Sequence, residues 1–181
     1  MANGFLDQGK TAAFAIPLLE KIDASKRQLQ GLVLCPTREL ALQVTEQINL
    51  LGQFKGIRAL PIYGGAGYGD QIKGLKKGAQ IVVSTPGRLL DHLQKGTVSL
   101  ENLEVVILDE ADEMLSMGFI EDIRAILSRL PKKRQGLFVS ATISPRVEML
   151  AHSFLVKSEY VIAESTEDNA PSIEHLFCEV G

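Results

Sequence analysis

Short runs of apolar residues alternate along this chain with longer segments in which apolar residues recur every three or four positions. The runs are typical of strands buried on both faces, and the longer segments are typical of amphipathic helices. The predicted strands are 31–36, 57–63, 79–84, 103–108, 136–140 and 160–163, with the start of one more at 173–180. The predicted helices are 11–23, 37–54, 70–77, 85–94, 120–130 and 145–153. This alternation predicts an α/β fold with a mostly parallel sheet and helices on both faces.

Polar or glycine-containing groups follow five of the predicted strands. They are Pro36-Thr37-Arg38-Glu39, Gly64-Gly65, Thr85-Pro86-Gly87-Arg88, Asp109-Glu110-Ala111-Asp112 and Ser140-Ala141-Thr142. Because the carboxyl ends of parallel strands meet at one edge of a sheet, we expect these groups to lie close together. Each group alone has an ordinary explanation as a turn or a helix start. Five of them at one edge favour a ligand site.

The most informative of these groups is the acidic one. The apolar run Val105–Leu108 leads directly into Asp109 and Glu110. Magnesium usually takes one or two protein carboxylates and keeps several waters, so this position suits a cation that bridges nucleotide phosphates. A neighbouring carboxylate can orient and deprotonate an attacking water. The alternative is a solvated acidic turn that starts a helix.

The first residues of the chain match the phosphate-loop pattern Gly-x-x-x-x-Gly-Lys-Thr at Gly4, Gly9, Lys10 and Thr11. In that pattern backbone N–H groups cradle phosphate, and the predicted helix after Thr11 would direct its positive end at the anion. Two features oppose the full match. Only residues 1–3 precede the pattern, which is too few for an anchoring strand, and the loop itself carries bulky and acidic residues.

Composition narrows the class of protein. With 181 residues and 45% hydrophobic content, the chain fits one domain with a sizeable core. A net charge of −3 argues against a general polyanion binder but permits a local basic rim. Cys35 and Cys178 are predicted to be plain buried thiols in a reducing compartment. No run reaches transmembrane length and no signal peptide opens the chain, so the predicted location is the cytoplasm. His92, His152 and His175 are scattered, and we interpret them as ordinary residues and not as ligands.

Six motifs occur in order from residue 9 onward: Gly-Lys-Thr, Pro-Thr-Arg-Glu-Leu, Gly-Gly, Thr-Pro-Gly-Arg, Asp-Glu-Ala-Asp and Ser-Ala-Thr. The sequence therefore resembles the first RecA-like domain of a DEAD-box ATP-dependent RNA helicase, and residues 109–119 resemble its bacterial branch. The resemblance implies a three-layer RecA-like fold of the P-loop NTPase type over residues 1–165. Residues 166–181 would begin a linker toward a second RecA-like domain. The resemblance also implies ATP and Mg²⁺ as cofactors and RNA as a partner contacted through its backbone. We expect a monomer that does not associate with a membrane.

The resemblance implies roles for the nucleotide-site residues. Gly9, Lys10 and Thr11 would contact the nucleotide, with Lys10 on the β- and γ-phosphates. Thr11 and Asp109 would hold magnesium. Glu110 would activate the hydrolytic water, so that Lys10, Asp109 and Glu110 form the implied catalytic set.

It also implies roles for the other strand ends. Asp112 would hydrogen-bond toward Ser140 and Thr142 and so couple the nucleotide site to domain closure. The implied RNA-contacting residues are Pro36, Thr37, Arg38, Gly64, Gly65, Thr85, Gly87 and Arg88. Backbone N–H groups and arginines suit phosphate contacts, which carry little sequence information.

Two departures from the family pattern stand out. The family has an adenine-reading segment with a glutamine before the phosphate loop, and this sequence supplies none. Since Asn3-Gly4-Phe5 resembles the lead-in to that segment, we expect a few dozen residues to be absent between Asp7 or Gln8 and Gly9. The second domain, which brings an arginine finger, does not follow either. Arginine fingers are worth several orders of magnitude in rate, so we predict little or no unwinding by this chain alone and weak nucleotide binding at best.

Three alternatives remain open. A different phosphate-loop enzyme, such as a small-molecule kinase, would leave Ser-Ala-Thr and Pro-Thr-Arg-Glu-Leu unexplained. A non-catalytic RNA-binding module that has lost nucleotide binding fits the damaged loop region. A carboxylate metal site without nucleotide would leave Lys10 beside a cation.

Overall fold

The structure, a computed structural model, describes residues 4–155 and 159–161. Its helices are α1 (Gly4–Lys21), α2 (Arg38–Gly52), α3 (Tyr68–Lys76), α4 (Pro86–Gln94), α5 (Ala111–Ser116), α6 (Ile120–Leu127) and α7 (Pro145–Phe154). Its strands are β1 (Gly31–Leu34), β2 (Ala59–Ile62), β3 (Ile81–Ser84), β4 (Val105–Leu108) and β5 (Gln135–Phe138). The predicted alternation of strands and helices is confirmed over this part of the chain.

The five strands form one sheet in the order β2-β3-β1-β4-β5, and every neighbouring pair runs parallel. The last residues of the strands are level with one another. Leu34 pairs with both Ser84 and Leu108, Ser84 also pairs with Ile62, and Leu108 also pairs with Phe138. The polar groups that follow these five residues therefore start from one edge of the sheet, as the sequence predicts.

The sheet is buried on both faces by separate hydrophobic clusters. Leu32 and Leu108 belong to the cluster beneath α4, α5, α6 and α7, whereas Val33 and Ile107 belong to the cluster beneath α1 and α2. Since successive strand residues point to opposite faces, a strand covered on both sides must be apolar throughout. This three-layer arrangement confirms the predicted fold class. Within residues 4–155 and 159–161, no helix is long and apolar enough to cross a membrane.

Three elements differ from the prediction. Helix α1 begins at Gly4 and not at Thr11, because Phe14 and Leu18 anchor it to the core and a helix that has formed extends at little cost. Helix α5 was not predicted, since six residues are too few to show a helical period. At the predicted strand 160–163, residues 160 and 161 lie outside any strand, while residues 162 and 163, like the predicted strand 173–180, lie outside the described part.

Candidate functional site

Asp109, the first residue after β4, is buried in the middle of the sheet edge. Its side chain is 0% exposed, and its backbone N–H donates to the Leu34 carbonyl at 2.9 Å. Among the described residues, neither carboxylate oxygen has a hydrogen-bond partner. Burial raises the pKa of Asp109 above its ordinary value, the neighbouring Glu110 raises it further, and Lys10 opposes the rise. A nearby cation would stabilise the ionised form of this buried carboxylate, whose oxygens are available to bind it.

Lys10 in α1 reaches across to this acid from a position 100 residues away from Glu110 in sequence. Its Nζ lies 3.6 Å from Asp109 Oδ1 and 3.4 Å from Glu110 Oε1. The side chains of Lys10 and Glu110 are 36% and 34% exposed, so the pair opens toward solvent while Asp109 stays inside. The fold thus joins all three residues of the implied catalytic set.

Glu110 has an unusual backbone. Its φ of 51° and ψ of 52° place it in the left-handed region. Every other positive φ among the described residues belongs to a glycine. A side chain in this region costs about 1–2 kcal/mol. The chain turns at Glu110, so α5 begins at Ala111, only three residues after the end of β4, and Glu110 stays at the sheet edge. Strain held at a candidate catalytic carboxylate is a common feature of functional sites.

The predicted phosphate loop is not formed. Gly9, Lys10 and Thr11 lie inside α1, where N–H groups beyond the first turn donate to carbonyls four residues earlier and are not available to a phosphate. Gly9 is exposed and Thr11 is buried. The structure therefore brings Lys10 to the acids but does not build the backbone cradle that the sequence pattern predicts.

The residues present fit a magnesium ion that takes few protein ligands. Asp109 offers a buried carboxylate that accepts no hydrogen bond from the described residues, and Glu110 offers a second, more exposed one beside it. Over the described ranges, no group of three or more histidine, cysteine or acidic side chains is arranged to hold a metal. Magnesium bound through one or two carboxylates and several waters needs no such group.

Cys35 lies at the same sheet edge, just after β1, and is buried. Burial, together with the nearby Asp109 and Glu110, raises the pKa of its thiol well above the ordinary value. A thiol held protonated in this way is a poor nucleophile. The prediction of a plain buried thiol is confirmed for Cys35, while Cys178 lies outside the described residues.

Asp112 makes the predicted contact with the group that follows β5. The N–H and hydroxyl of Thr142 donate to Asp112 Oδ2 at 3.0 and 2.9 Å, while the Ser140 hydroxyl donates to the Thr142 carbonyl at 2.8 Å. Burial alone would raise the pKa of Asp112, but hydrogen bonds to its carboxylate, above all those from Thr142, outweigh burial and lower the pKa. Neither Ser140 nor Thr142 caps α7, because that role belongs to Ser144.

The three strand ends implied in RNA contact are joined by side chains. The guanidinium of Arg38, after β1, lies 4.9 Å from the ring centroid of Tyr63, which directly precedes Gly64-Gly65. Arg88 in α4 donates to the carbonyl of Ala66 at 2.9 Å. The structure therefore places Arg38, the Gly64-Gly65 turn and Arg88 along one stretch of the edge.

The remaining residues of this set have mixed surroundings. Pro36 is buried, and Thr37 caps α2 by accepting from the Leu40 N–H at 3.2 Å, which confirms the ordinary explanation for that hydroxyl. Thr85 and Gly87 are half-buried at the start of α4. Thr85 also donates its N–H to the Ile62 carbonyl at 3.1 Å, which ties it to β2.

Sequence reasoning missed a second set of residues at this edge. Tyr63, Tyr68 and Lys95 contribute aromatic rings and positive charge beside the two arginines, and Gln71 and His92 lie beneath them. The available signal was the pair of tyrosines that flank Gly64-Gly65, because aromatic residues interleaved with basic ones are typical of nucleic-acid surfaces.

A fully parallel sheet covered on both faces, with lysine, aspartate and glutamate joined at its carboxyl edge, defines an α/β protein of the RecA-like class. The sequence model of the DEAD/DEAH box helicase family matches residues 8–150. The chain belongs to this family. Membership leaves the small-molecule kinase alternative without support.

Individual relatives agree with this assignment. The DEAD-box ATP-dependent RNA helicases CshA of Bacillus cereus and Geobacillus kaustophilus are each 48% identical over 172 residues, or 95% of this chain. The matched part is 33% and 37% of those proteins, so the chain spans about one third of the length of these curated relatives. A crystal structure of a DEAD box protein from the hyperthermophile Methanococcus jannaschii superimposes with a TM-score of 0.79 and 46% identity, covering 82% of this chain and 40% of that one.

Proposed function

We propose that this chain is the ATP-binding domain of an RNA helicase, in which binding and hydrolysis of ATP drive the remodelling of RNA duplexes. The observation that carries the proposal is the buried carboxylate of Asp109, which has no hydrogen bond among the described residues and lies 3.6 Å from Lys10. Burying a carboxylate without hydrogen bonds is costly, and Lys10 offsets that cost only in part, since the pKa of Asp109 stays raised. Family membership supplies the class of ligand, namely ATP with magnesium.

The roles of the chain's own residues follow from their positions. Asp109 would hold Mg²⁺, which neutralises negative charge on the phosphates when bound, and the family resemblance assigns Thr11, buried in α1, to the same ion. Lys10 adds positive charge 3.6 Å from Asp109 and 3.4 Å from Glu110. Glu110 is the more exposed acid, and its carboxylate is suited to orient a water and accept its proton.

RNA would lie along the neighbouring strand ends. Arg38 is exposed and Arg88 is half-buried, and the exposed glycines of the Gly64-Gly65 turn allow close approach of a phosphate backbone. Contacts of this type position RNA without reading its sequence. Asp112 and Thr142 would link the nucleotide site to closure against a second RecA-like domain. We further propose a cytoplasmic parent protein that needs that domain for unwinding.

A second candidate is an RNA-binding module that does not bind nucleotide. One observation favours it: α1 continues through Gly9, Lys10 and Thr11, so the backbone cradle for phosphate is missing. In this case Lys10 serves as an ion-pair partner of Asp109 and Glu110, and the RNA surface alone is functional.

Calorimetric titration with ATP and ADP in the presence of magnesium separates the two candidates. The informative variant is Lys10→Ala. The matched control is Lys26→Ala. Lys26 forms a half-exposed ion pair with Asp23 in the segment that precedes β1, at the amino end of the strands and not at their carboxyl edge. We expect weak binding that Lys10→Ala abolishes and Lys26→Ala leaves intact. Absence of binding in all three proteins would favour the RNA-binding module.

A further inference from the structure

Arg88 is held by more than its own helix. Its Nη1 donates to the Ala66 carbonyl at 2.9 Å and to Gln71 Oε1 at 3.3 Å, and its guanidinium lies 4.3 Å from the ring centroid of Tyr68. These contacts fix both the direction of the guanidinium and its distance from the turn that contains Gly64-Gly65. The side chain is therefore oriented before any ligand arrives.

Gln71 in α3 is the centre of this arrangement. It is buried, and its Nε2 donates to the Tyr63 carbonyl at 3.0 Å. Because Nε2 is engaged with a carbonyl, Oε1 is the atom that faces Arg88. One amide thus holds the beginning of the turn with one atom and the guanidinium with the other.

His92 in α4 contacts the side-chain amide of Gln71. It is 0% exposed, and its Nε2 lies 2.9 Å from Gln71 Oε1 while its Nδ1 lies 2.7 Å from Thr97 Oγ1. Since Oε1 is an acceptor, Nε2 must carry the ring proton, which leaves Nδ1 of the neutral ring as an acceptor. The Thr97 hydroxyl then gives its one proton to Nδ1 at 2.7 Å and not to the His92 carbonyl, which lies 3.0 Å from it. The ring tautomer is therefore set by Gln71.

The charges around His92 favour this neutral ring. Burial lowers the pKa of His92, and so do Arg88 on the same helix and Lys95 just after its last residue, whereas Asp91 opposes them. From α3, the Tyr68 ring packs with its centroid 5.2 Å from that of His92. A neutral ring beside Arg88 adds no repulsion that would move the guanidinium.

We propose that Gln71 and His92 are positioning residues that lock Arg88 and the Gly64–Ala66 turn into one preorganised surface for an RNA phosphate backbone. The inference rests on the proposed RNA-binding function and adds two residues to it. Neither residue touches RNA in this arrangement, since both are buried. They act by holding a planar donor in one orientation, which lowers the ordering that binding requires.

Two measurements without RNA test the positioning directly. Nitrogen-15 NMR of the histidine rings should show His92 as the Nε2–H tautomer in the wild-type chain and a change of that signal in Gln71→Ala. Arg88 should give slowly exchanging guanidinium signals in the wild type and averaged ones in Gln71→Ala and His92→Phe. An Nδ1–H tautomer, or Arg88 signals that do not respond, would overturn the proposal. The wild-type tautomer decides even if a variant fails to fold.

Fluorescence anisotropy with a labelled single-stranded oligouridylate tests the consequence for binding. Gln71→Ala and His92→Phe should weaken affinity about threefold to tenfold, which is less than the loss in Arg88→Ala because the charge remains. Asn49→Ala is the control: Asn49 ties α2 to Ala59 through two hydrogen bonds of 3.1 and 2.8 Å, so its loss destabilises the fold without reaching Arg88. Its affinity should stay within about twofold of the wild type.

The two experiments test separate claims, namely RNA binding by the chain and the restraint of Arg88 by Gln71 and His92. No binding of oligouridylate by the wild type at low salt would overturn the proposed RNA function, while the NMR signals would still decide whether Gln71 and His92 restrain Arg88. Normal affinity in Gln71→Ala and His92→Phe, beside weakened affinity in Arg88→Ala, would overturn the positioning role.

Discussion

Replacing Asp109 with asparagine should stabilise the fold while removing the proposed cation site. The wild-type carboxylate is 0% exposed, both of its oxygens lack a hydrogen-bond partner among the described residues, and its pKa is raised chiefly by burial. A raised pKa means that folding favours the protonated acid, so the ionised form costs stability at neutral pH. Asparagine has nearly the same shape and carries no charge.

The size of the effect follows from the unmet hydrogen bonds. A buried polar group without a partner costs about 1–3 kcal/mol, and more if it is charged. Asparagine keeps part of this penalty, because its amide is buried in the same place. We therefore expect Asp109→Asn to raise the free energy of unfolding by about 1–2 kcal/mol, or the melting temperature by roughly 3–6 °C for a chain of this size.

Urea unfolding followed by circular dichroism measures this change. Glu110→Gln is the matched control, since Glu110 also contacts Lys10 but is 34% exposed, and its effect should stay within about 0.5 kcal/mol. The gain in unfolding free energy from Asp109→Asn should shrink as the pH falls through the raised pKa toward the ordinary value of 3.8. The folded wild-type acid takes up a proton in this range, so the cost of a buried charge disappears. Calorimetry should show that the stabilised variant has lost magnesium-dependent nucleotide binding.

Destabilisation by Asp109→Asn at pH 7 would contradict a net energetic cost of burying this carboxylate. It would mean that attraction between Asp109 and Lys10, at 3.6 Å, outweighs the cost of burial. An advantage that does not change with pH would also contradict the argument, because the effect would then come from packing and not from charge.

Three further predictions concern the same sheet edge. Glu110→Gly should be more stable than Glu110→Ala by roughly 0.5–1 kcal/mol in urea unfolding, since only glycine is free of strain at φ 51°, and the reverse order would show that the left-handed backbone carries no strain. His92 has a folded pKa below its ordinary value of 6.5, so stability should fall as the pH drops below about 6.5, where the unfolded chain binds a proton that the folded one excludes. His92→Gln should flatten the unfolding free energy between pH 7.5 and 5.5, and an unchanged slope would exclude His92 as its source. Asp112 has a lowered pKa, so its contribution to folding stability is present above pH 3.8 and is lost as the pH falls below that value. Thr142→Val removes a hydrogen bond to Asp112 and should make the unfolding free energy less dependent on acid pH. Identical acid unfolding curves for the wild type and Thr142→Val would contradict this.

Much of the fold could be predicted from local patterns. Continuous apolar runs such as Val105–Leu108 identify strands covered on both faces, and the polar groups that follow them mark one edge of a parallel sheet. These predictions succeed because burial and strand direction leave a repeated trace in neighbouring residues. The same reasoning placed the groups that contain Asp109, Glu110 and Thr142 at one sheet edge, whereas the hydrogen bond between Asp112 and Thr142 was implied by the family resemblance.

Local patterns failed where the outcome depended on distant partners. The Gly-Lys-Thr pattern predicts a loop, yet α1 extends through it because its apolar face is anchored on the core. Short α5 gives no periodic signal, and its start depends on the left-handed backbone of Glu110. His92 looked ordinary because its partner Gln71 lies on another helix, 21 residues earlier.

Sequence patterns alone predict the succession of strands and helices, the sheet edge at which the polar groups gather and, through the motifs, the family. Tertiary packing brings Lys10 to Asp109 and Glu110 and leaves Asp109 without a hydrogen bond among the described residues. It also places Gln71 in contact with both Arg88 and His92. The two kinds of feature differ in the range of the interactions that produce them. Periodicity is set by residues next to one another, whereas burial of a charge and pairing across 100 residues are set by packing, which no local segment contains.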